Sequence, residues 1–237
     1  MSKSFLYVAN WKAYLSFSES IAWIDTFGGE LDRLVEEGEV VICPDFLALN
    51  YASSQVPISI AIGAQDCSAH GKGAFTGDVT ATSLKQAGAK YCIVGHSERR
   101  RYEFESLESM VQKTLCLLKV GITPLICMSE AVEDELPQFL DKLGAFKDFK
   151  KDIVFAYEPE SAIGTDTLPS IKNIDTVCAG MKSILAHKWG ENTKILYGGS
   201  VSDKTIVDLK KITSIDGFLI GRASTDFQAL EKIVVLV

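Results

Sequence analysis

Glu158 stands between an aromatic residue and a proline in the stretch AYEPESAIGTDT, and a second carboxylate and a glycine-containing loop follow it. A carboxylate held in this way can take a proton from a carbon next to a carbonyl. The other groups such a reaction needs recur at one kind of position, just after short apolar runs. Asn10 and Lys12 follow FLYVA, His96 and Glu98 follow YCIVG, and Glu158 itself follows IVFAY. Gly198, Gly199 and Ser200 follow KILY, and Gly221 and Arg222 follow IDGFLI. A neutral imidazole and an ammonium stabilise an oxyanion as it forms. Small residues with exposed backbone N–H groups hold a phosphate. Together these types point to proton transfer on a small phosphorylated carbonyl compound, with no metal and no organic cofactor.

Eight apolar runs supply these positions: FLYVA, VVIC, ISIAIGA, YCIVG, ITPLIC, IVFAY, KILYG and IDGFLIG. Most are continuous rather than alternating, the pattern of strands buried on both faces of a parallel sheet. Helical stretches lie between them. SFSESIAWIDTFGGELDRLVEE opens with Ser/Glu capping chemistry and spaces its apolar residues three and four apart. SLESMVQKTLCLLKVG and NIDTVCAGMKSILAHKWG each end in a basic residue and a glycine, a helix stop. His187 falls in the last turn of the latter, where it reads as a capping or surface residue. Eight strand–helix alternations predict a (β/α)8 barrel, eight parallel strands with surrounding helices, spanning 1–237 as a single domain. An open doubly wound sheet is the alternative, but it prefers a glycine-rich fingerprint after the first strand, and VANWKAYL has none.

The composition excludes little by itself. The formal net charge is -7, and there is no basic stripe, aromatic platform or amphipathic anchor to suggest nucleic acid or membrane as a partner. The six cysteines, at 43, 67, 92, 116, 127 and 178, form no CxxC and no Cys/His cluster, so they read as buried thiols. The first apolar run is too short for a signal peptide and no stretch approaches a membrane span, so the expected location is the cytoplasm.

ANWK, GAFTGD, IVGHSERR, AYEP with AIGT, YGGSV and DGFLIGRAS resemble, in order and spacing, the motifs of the triosephosphate isomerase family. The resemblance runs from residue 5 to about 225 and implies the TIM-barrel fold. It also implies interconversion of dihydroxyacetone phosphate and D-glyceraldehyde 3-phosphate through an enediol(ate), in glycolysis and gluconeogenesis. By resemblance Glu158 is the base, His96 the neutral electrophile, and Lys12 with Asn10 the groups beside the phosphate and oxyanion. Glu98 orients Lys12, while Gly164, Ser200, Gly221 and Arg222 match phosphate-gripping positions. The lid and its hinge run from Pro159, Glu160, Ser161 and Ala162 to Ile163, Gly164 and Thr165, with Tyr197 and Ser200 holding the closed form. Ile163 and Leu219 match apolar residues that press on the base. DCSAHGKGAFTGD matches the loop that family members insert into a neighbouring subunit, which implies a homodimer with Thr76 at its interface and His70 as a polar surface or interface residue. Two rivals remain, another barrel enzyme acting on a phosphorylated sugar and a catalytically silent barrel kept for binding.

The chain departs from the family pattern at the hinge. Family members commonly carry an aliphatic residue and Trp where this chain has Glu160 and Ser161. The Trp switches contacts between positions matching Tyr157 and Glu130, and its absence predicts the loss of much apolar contact and of an N–H donor, with weaker anchoring of the open lid. Ser129 and Arg222 each replace a usual glycine. The Arg222 position normally contributes a backbone N–H, which arginine retains, and the guanidinium is free to face solvent or the phosphate.

Overall fold

In the computed structural model, which describes residues 4–144, 153–162, 168–189 and 193–236, eight parallel strands close into a barrel in sequence order. They are β1 (Phe5–Asn10), β2 (Gly38–Cys43), β3 (Ala61–Ala64), β4 (Tyr91–Val94), β5 (Thr123–Met128), β6 (Val154–Tyr157), β7 (Ile195–Tyr197) and β8 (Gly217–Ile220). β1 pairs with β2 on one side and with β8 on the other, which completes the ring.

The strands read as unbroken apolar runs because both of their faces are buried, against different neighbours. In β1, Leu6 and Val8 join Val41, Ile93, Leu125, Leu196 and Leu219 inside the barrel. Phe5, Tyr7 and Ala9 of the same strand face outward into the layer beneath the helices, where Phe218 lies over the Phe5 and Tyr7 rings. Every residue of β1 is buried, so the period of two that would betray a half-exposed strand is hidden.

Around the barrel lie α1 (Phe17–Phe27), α2 (Phe46–Gln55), α3 (Ala81–Gln86), α4 (Ser97–Tyr102), α5 (Leu107–Lys119), α6 (Val132–Leu143), α7 (Ile171–Trp189), α8 (Ile206–Leu209) and α9 (Phe227–Val235). The Ser/Glu signal at the start of α1 is a full capping box: Ser16 accepts from the Glu19 N–H, and the Glu19 carboxylate accepts from the Ser16 N–H. The helix expected to continue through residue 37 instead gives way at Gly28 to a 3₁₀ stretch, Gly28–Glu36. Two consecutive glycines leave the α conformation little favoured there, and the tighter winding still buries Leu31 and Leu34. At the end of α5, Gly121 takes φ +68, the left-handed turn that stops the helix and leads into β5.

Barrel closure gathers the strand ends on one rim. Asn10 ends β1, Gly95 and His96 follow β4, Glu158 follows β6, Gly198 follows β7 and Gly221 follows β8, all on the carboxyl rim of the barrel. All six cysteines are free thiols, five of them buried and Cys116 half-buried. No helix among the described residues is long and apolar enough to cross a membrane.

Candidate active site

The carboxyl rim opens into a cavity of about 500 Å³ lined by Asn10, Lys12, His96, Glu158, Gly198, Ser200, Gly221 and Arg222, among others. The groups singled out on separate strand ends therefore face one space. Glu158 is held by the ladder on either side of it. Its N–H donates to the Met128 carbonyl, and the Gly198 N–H donates to the carbonyl of Tyr157. This fixes the backbone and leaves the side chain, only 2% exposed, directed into the cavity.

Both Glu158 oxygens are engaged at the start of α4. Oε2 accepts from the Ser97 N–H at 3.0 Å, and Oε1 lies 3.2 Å from His96 Nε2. The imidazole is oriented from its other side, where Nδ1 accepts the Glu98 N–H at 3.2 Å. A ring nitrogen that accepts carries no proton, so in the neutral ring the proton sits on Nε2 and points at the carboxylate. Ser97 was not foreseen as part of the site. The only sign of it in the sequence is its place between His96 and Glu98.

Lys12 enters from the opposite wall. Its Nζ lies 2.7 Å from Glu98 Oε1, so Glu98 joins the lysine to the histidine loop. Lys12 has φ +50, a left-handed conformation that costs a non-glycine residue on the order of 1–3 kcal/mol. Local bonds sustain it: the Asn10 side chain accepts from the Lys12 N–H, and Gln65 Nε2 donates to the Lys12 carbonyl at 2.8 Å and to the Cys43 carbonyl at 3.1 Å. Gln65 is a second group that the sequence reading missed, since nothing local marks a residue on β3's exit loop as a support for β1.

Small residues shape the wall behind the carboxylate. A Cβ on Gly198 would stand 3.0 Å from Glu158 Cγ, so this position leaves room for the base. On the other side lies the buried thiol of Cys127. Burial, then the charge and hydrogen bond of Glu158, push that thiol well above its ordinary range. A protonated thiol beside the carboxylate adds no like charge. Among the described residues no group of three or more His, Cys, Asp or Glu side chains could hold a metal ion.

Over residues 5–237 the chain matches the family model described as triosephosphate isomerase. The chain belongs to the triosephosphate isomerase family. It is 35% identical to the triosephosphate isomerase of Thermus thermophilus over 94% of this chain and 95% of that protein. Identity is 33% to the enzyme of the same name from Mycobacterium bovis, over 95% and 94% of the two chains. It is 32% to that of Endomicrobium trichonymphae, over 97% of each.

Within this triosephosphate isomerase barrel the hinge departs from the reading made on sequence. Pro159 and Ala162 are buried, and Glu160–Ala162 forms a single 3₁₀ turn. Ser161 supplies the donor expected to be missing: its Oγ donates to Glu130 Oε1 at 2.7 Å, and its N–H lies 3.3 Å from the same oxygen. A hydroxyl one bond from Cβ reaches Glu130 because the turn carries residue 161 to it. Ser129 bonds through its N–H and hydroxyl to Glu135, which also pairs with Arg100. Ser200 Oγ donates to the Ala162 carbonyl at 2.7 Å. Tyr197 lies buried beneath, and its hydroxyl has no hydrogen-bond partner among the described residues. Ile163, Gly164 and Thr165 lie outside the described residues. Thr76 is exposed on the loop between β3 and α3, near Phe75, whose ring stacks on His70 at 4.0 Å.

Proposed function

We propose that this chain acts as a triose-phosphate isomerase, interconverting dihydroxyacetone phosphate and D-glyceraldehyde 3-phosphate in glycolysis and gluconeogenesis. The observation that carries the reading is the buried Glu158 carboxylate paired with a correctly oriented His96 Nε2–H at 3.2 Å. Glu158 releases its hold on Ser97 and His96 and takes a proton from C1 of the ketose. The electron pair of that C–H bond forms the C1–C2 double bond, and the carbonyl electrons move to O2 as an enediolate. His96 Nε2–H and Lys12 Nζ face the oxygens where this charge develops. A proton passes from O1 to O2, and Glu158 returns its proton to C2, giving the aldose with no net gain or loss of electrons.

In this reading Asn10 and Glu98 position Lys12. The phosphate is held by the backbone around Ser200, Gly221 and Arg222, with Gly164 completing the grip. The lid from Pro159 to Thr165, including Glu160, Ser161, Ala162 and Ile163, excludes water, and Tyr197 and Ser200 are its supports. The catalytically silent alternative is disfavoured because every proton-transfer group is retained around one cavity.

We further infer that the chain is a single barrel domain over 1–237 and works as a homodimer, with Thr76 reaching the partner's active site. The exposed Phe75, Tyr102 and Phe104 support this, being large apolar groups that a second copy would cover. Six free thiols with no disulfide support a reducing compartment, hence the cytoplasm. An assay coupling aldose formation to a dehydrogenase, run on purified protein with dihydroxyacetone phosphate, tests the activity. Light scattering tests the dimer. No turnover, or a monomer of full activity, contradicts the corresponding statement.

A further inference from the structure

We propose that the side chains of Arg222 and Lys204 form a cationic rim at the phosphate end of the cavity that captures the doubly charged substrate, a role that rests on the isomerase reading above. Both residues line the cavity and both are exposed at its mouth. Lys12 is the third cation on the lining, and Glu158 is the one carboxylate there among the described residues. No carboxylate lies within ion-pair distance of Arg222 or Lys204 among the described residues, so both charges at the mouth are left un-neutralised. Asp226, four residues beyond Arg222, is occupied as the cap of α9.

Arg222 is also held in place. Its guanidinium lies 5.9 Å over the ring of Tyr14, which lines the same mouth. The stack keeps the charge at the rim without neutralising it. Backbone N–H groups at Gly221 and Arg222 and the Ser200 loop are neutral donors, so they grip a phosphate at short range only. Unpaired cations act over a Debye length, about 10 Å at 0.1 M salt. The chain as a whole carries a net charge of -7, so un-neutralised cations at the mouth give the cavity a local field of the opposite sign.

The test uses inorganic phosphate as the probe, followed by titration calorimetry, and the KM for dihydroxyacetone phosphate. Arg222→Gln and Lys204→Gln each remove one charge, and Arg222→Lys keeps it. At low ionic strength each Gln variant should weaken phosphate binding and raise KM by about two- to five-fold, the effect of one charge near a dianion in a largely aqueous mouth. The loss should shrink toward unity at about 0.5 M salt, where screening removes it, and Arg222→Lys should recover most of the affinity. Wild-type phosphate affinity in both Gln variants at low salt overturns the proposal. So does a loss that persists at high salt and is not restored by Arg222→Lys, since that marks packing rather than charge. Failure of the isomerase reading would show separately, as wild-type protein without turnover, because phosphate binding is read without activity.

Discussion

Replacing Gly198 with alanine adds one methyl group against the side chain proposed to carry the chemistry. The new Cβ would lie 3.0 Å from Glu158 Cγ, and 3.5 Å from both Glu158 Oε1 and Leu219 Cβ. Carbon atoms rest comfortably at about 3.5–4.0 Å, so the Glu158 side chain must give way by roughly half an ångström. The backbone at Gly198 is not in the left-handed region, so the substitution carries no conformational strain of its own. The bonds from Ser97 N–H and His96 to Glu158 oppose the shift. A misplacement of about 1 Å can cost on the order of 10²-fold, so half of that should lower kcat by about ten-fold, or about 1.4 kcal/mol. KM should change little, since the phosphate end is untouched. Overpacking by one methyl should cost about 1 kcal/mol of stability, a Tm shift of roughly 2–4 °C. The assay is the coupled isomerase reaction at saturating dihydroxyacetone phosphate, with Tm followed by circular dichroism. A Gly198→Ala protein with wild-type kcat refutes the reasoning that this glycine makes room for the base.

Gly180, exposed on α7 with open space around its α-carbon, is the contrasting case: Gly180→Ala should stabilise the protein by about 0.5–1 kcal/mol in urea denaturation and leave activity unchanged. Ser161→Ala removes the hydroxyl bond to Glu130 and should shift kcat and KM together by a few-fold, a bond of this kind contributing about 1 kcal/mol; unaltered steady-state constants would show that it does not set the lid equilibrium. Burial pushes the thiols of Cys43 and Cys178 from 9.0 up to about 12. A folded value above the unfolded one gives stability that is complete below pH 9 and lost as pH rises toward 12. Urea midpoints should therefore fall as pH rises from about 9 to 10.5, and fall less in Cys178→Ala, whose unfolded state has one thiol fewer to ionise.

The barrel was legible in the sequence because burial on both strand faces leaves continuous apolar runs. In β1 the outward Phe5, Tyr7 and Ala9 and the inward Leu6 and Val8 are equally apolar, so the whole segment declares itself. Asn10, Lys12, His96 and Glu158 were legible for the opposite reason. They are polar groups that follow such runs directly, and closure of the barrel brings all of them to one rim. Gln65, Ser97 and Cys127 were not, because their roles depend on contacts across the barrel. The Gln65 bond to Lys12 spans 53 residues, and that of Ser97 to Glu158 spans 61. The break of the first helix at Gly28 was misread, since the apolar spacing survives in the 3₁₀ winding. The hinge was misread in a more informative way. Loss of the tryptophan suggested loss of a donor, but the donor is restored by a shorter side chain on a turn that only the fold reveals.

The central claim is that Glu158 moves the proton, and the isomerisation rate of Glu158→Gln measures it most directly. Glutamine keeps the size of the side chain and a hydrogen-bond acceptor but cannot serve as the base. With dihydroxyacetone phosphate at saturation, kcat should fall by on the order of 10²–10⁴-fold while the folded protein and its phosphate affinity persist. A Glu158→Gln protein that turns over at the wild-type rate would contradict the account.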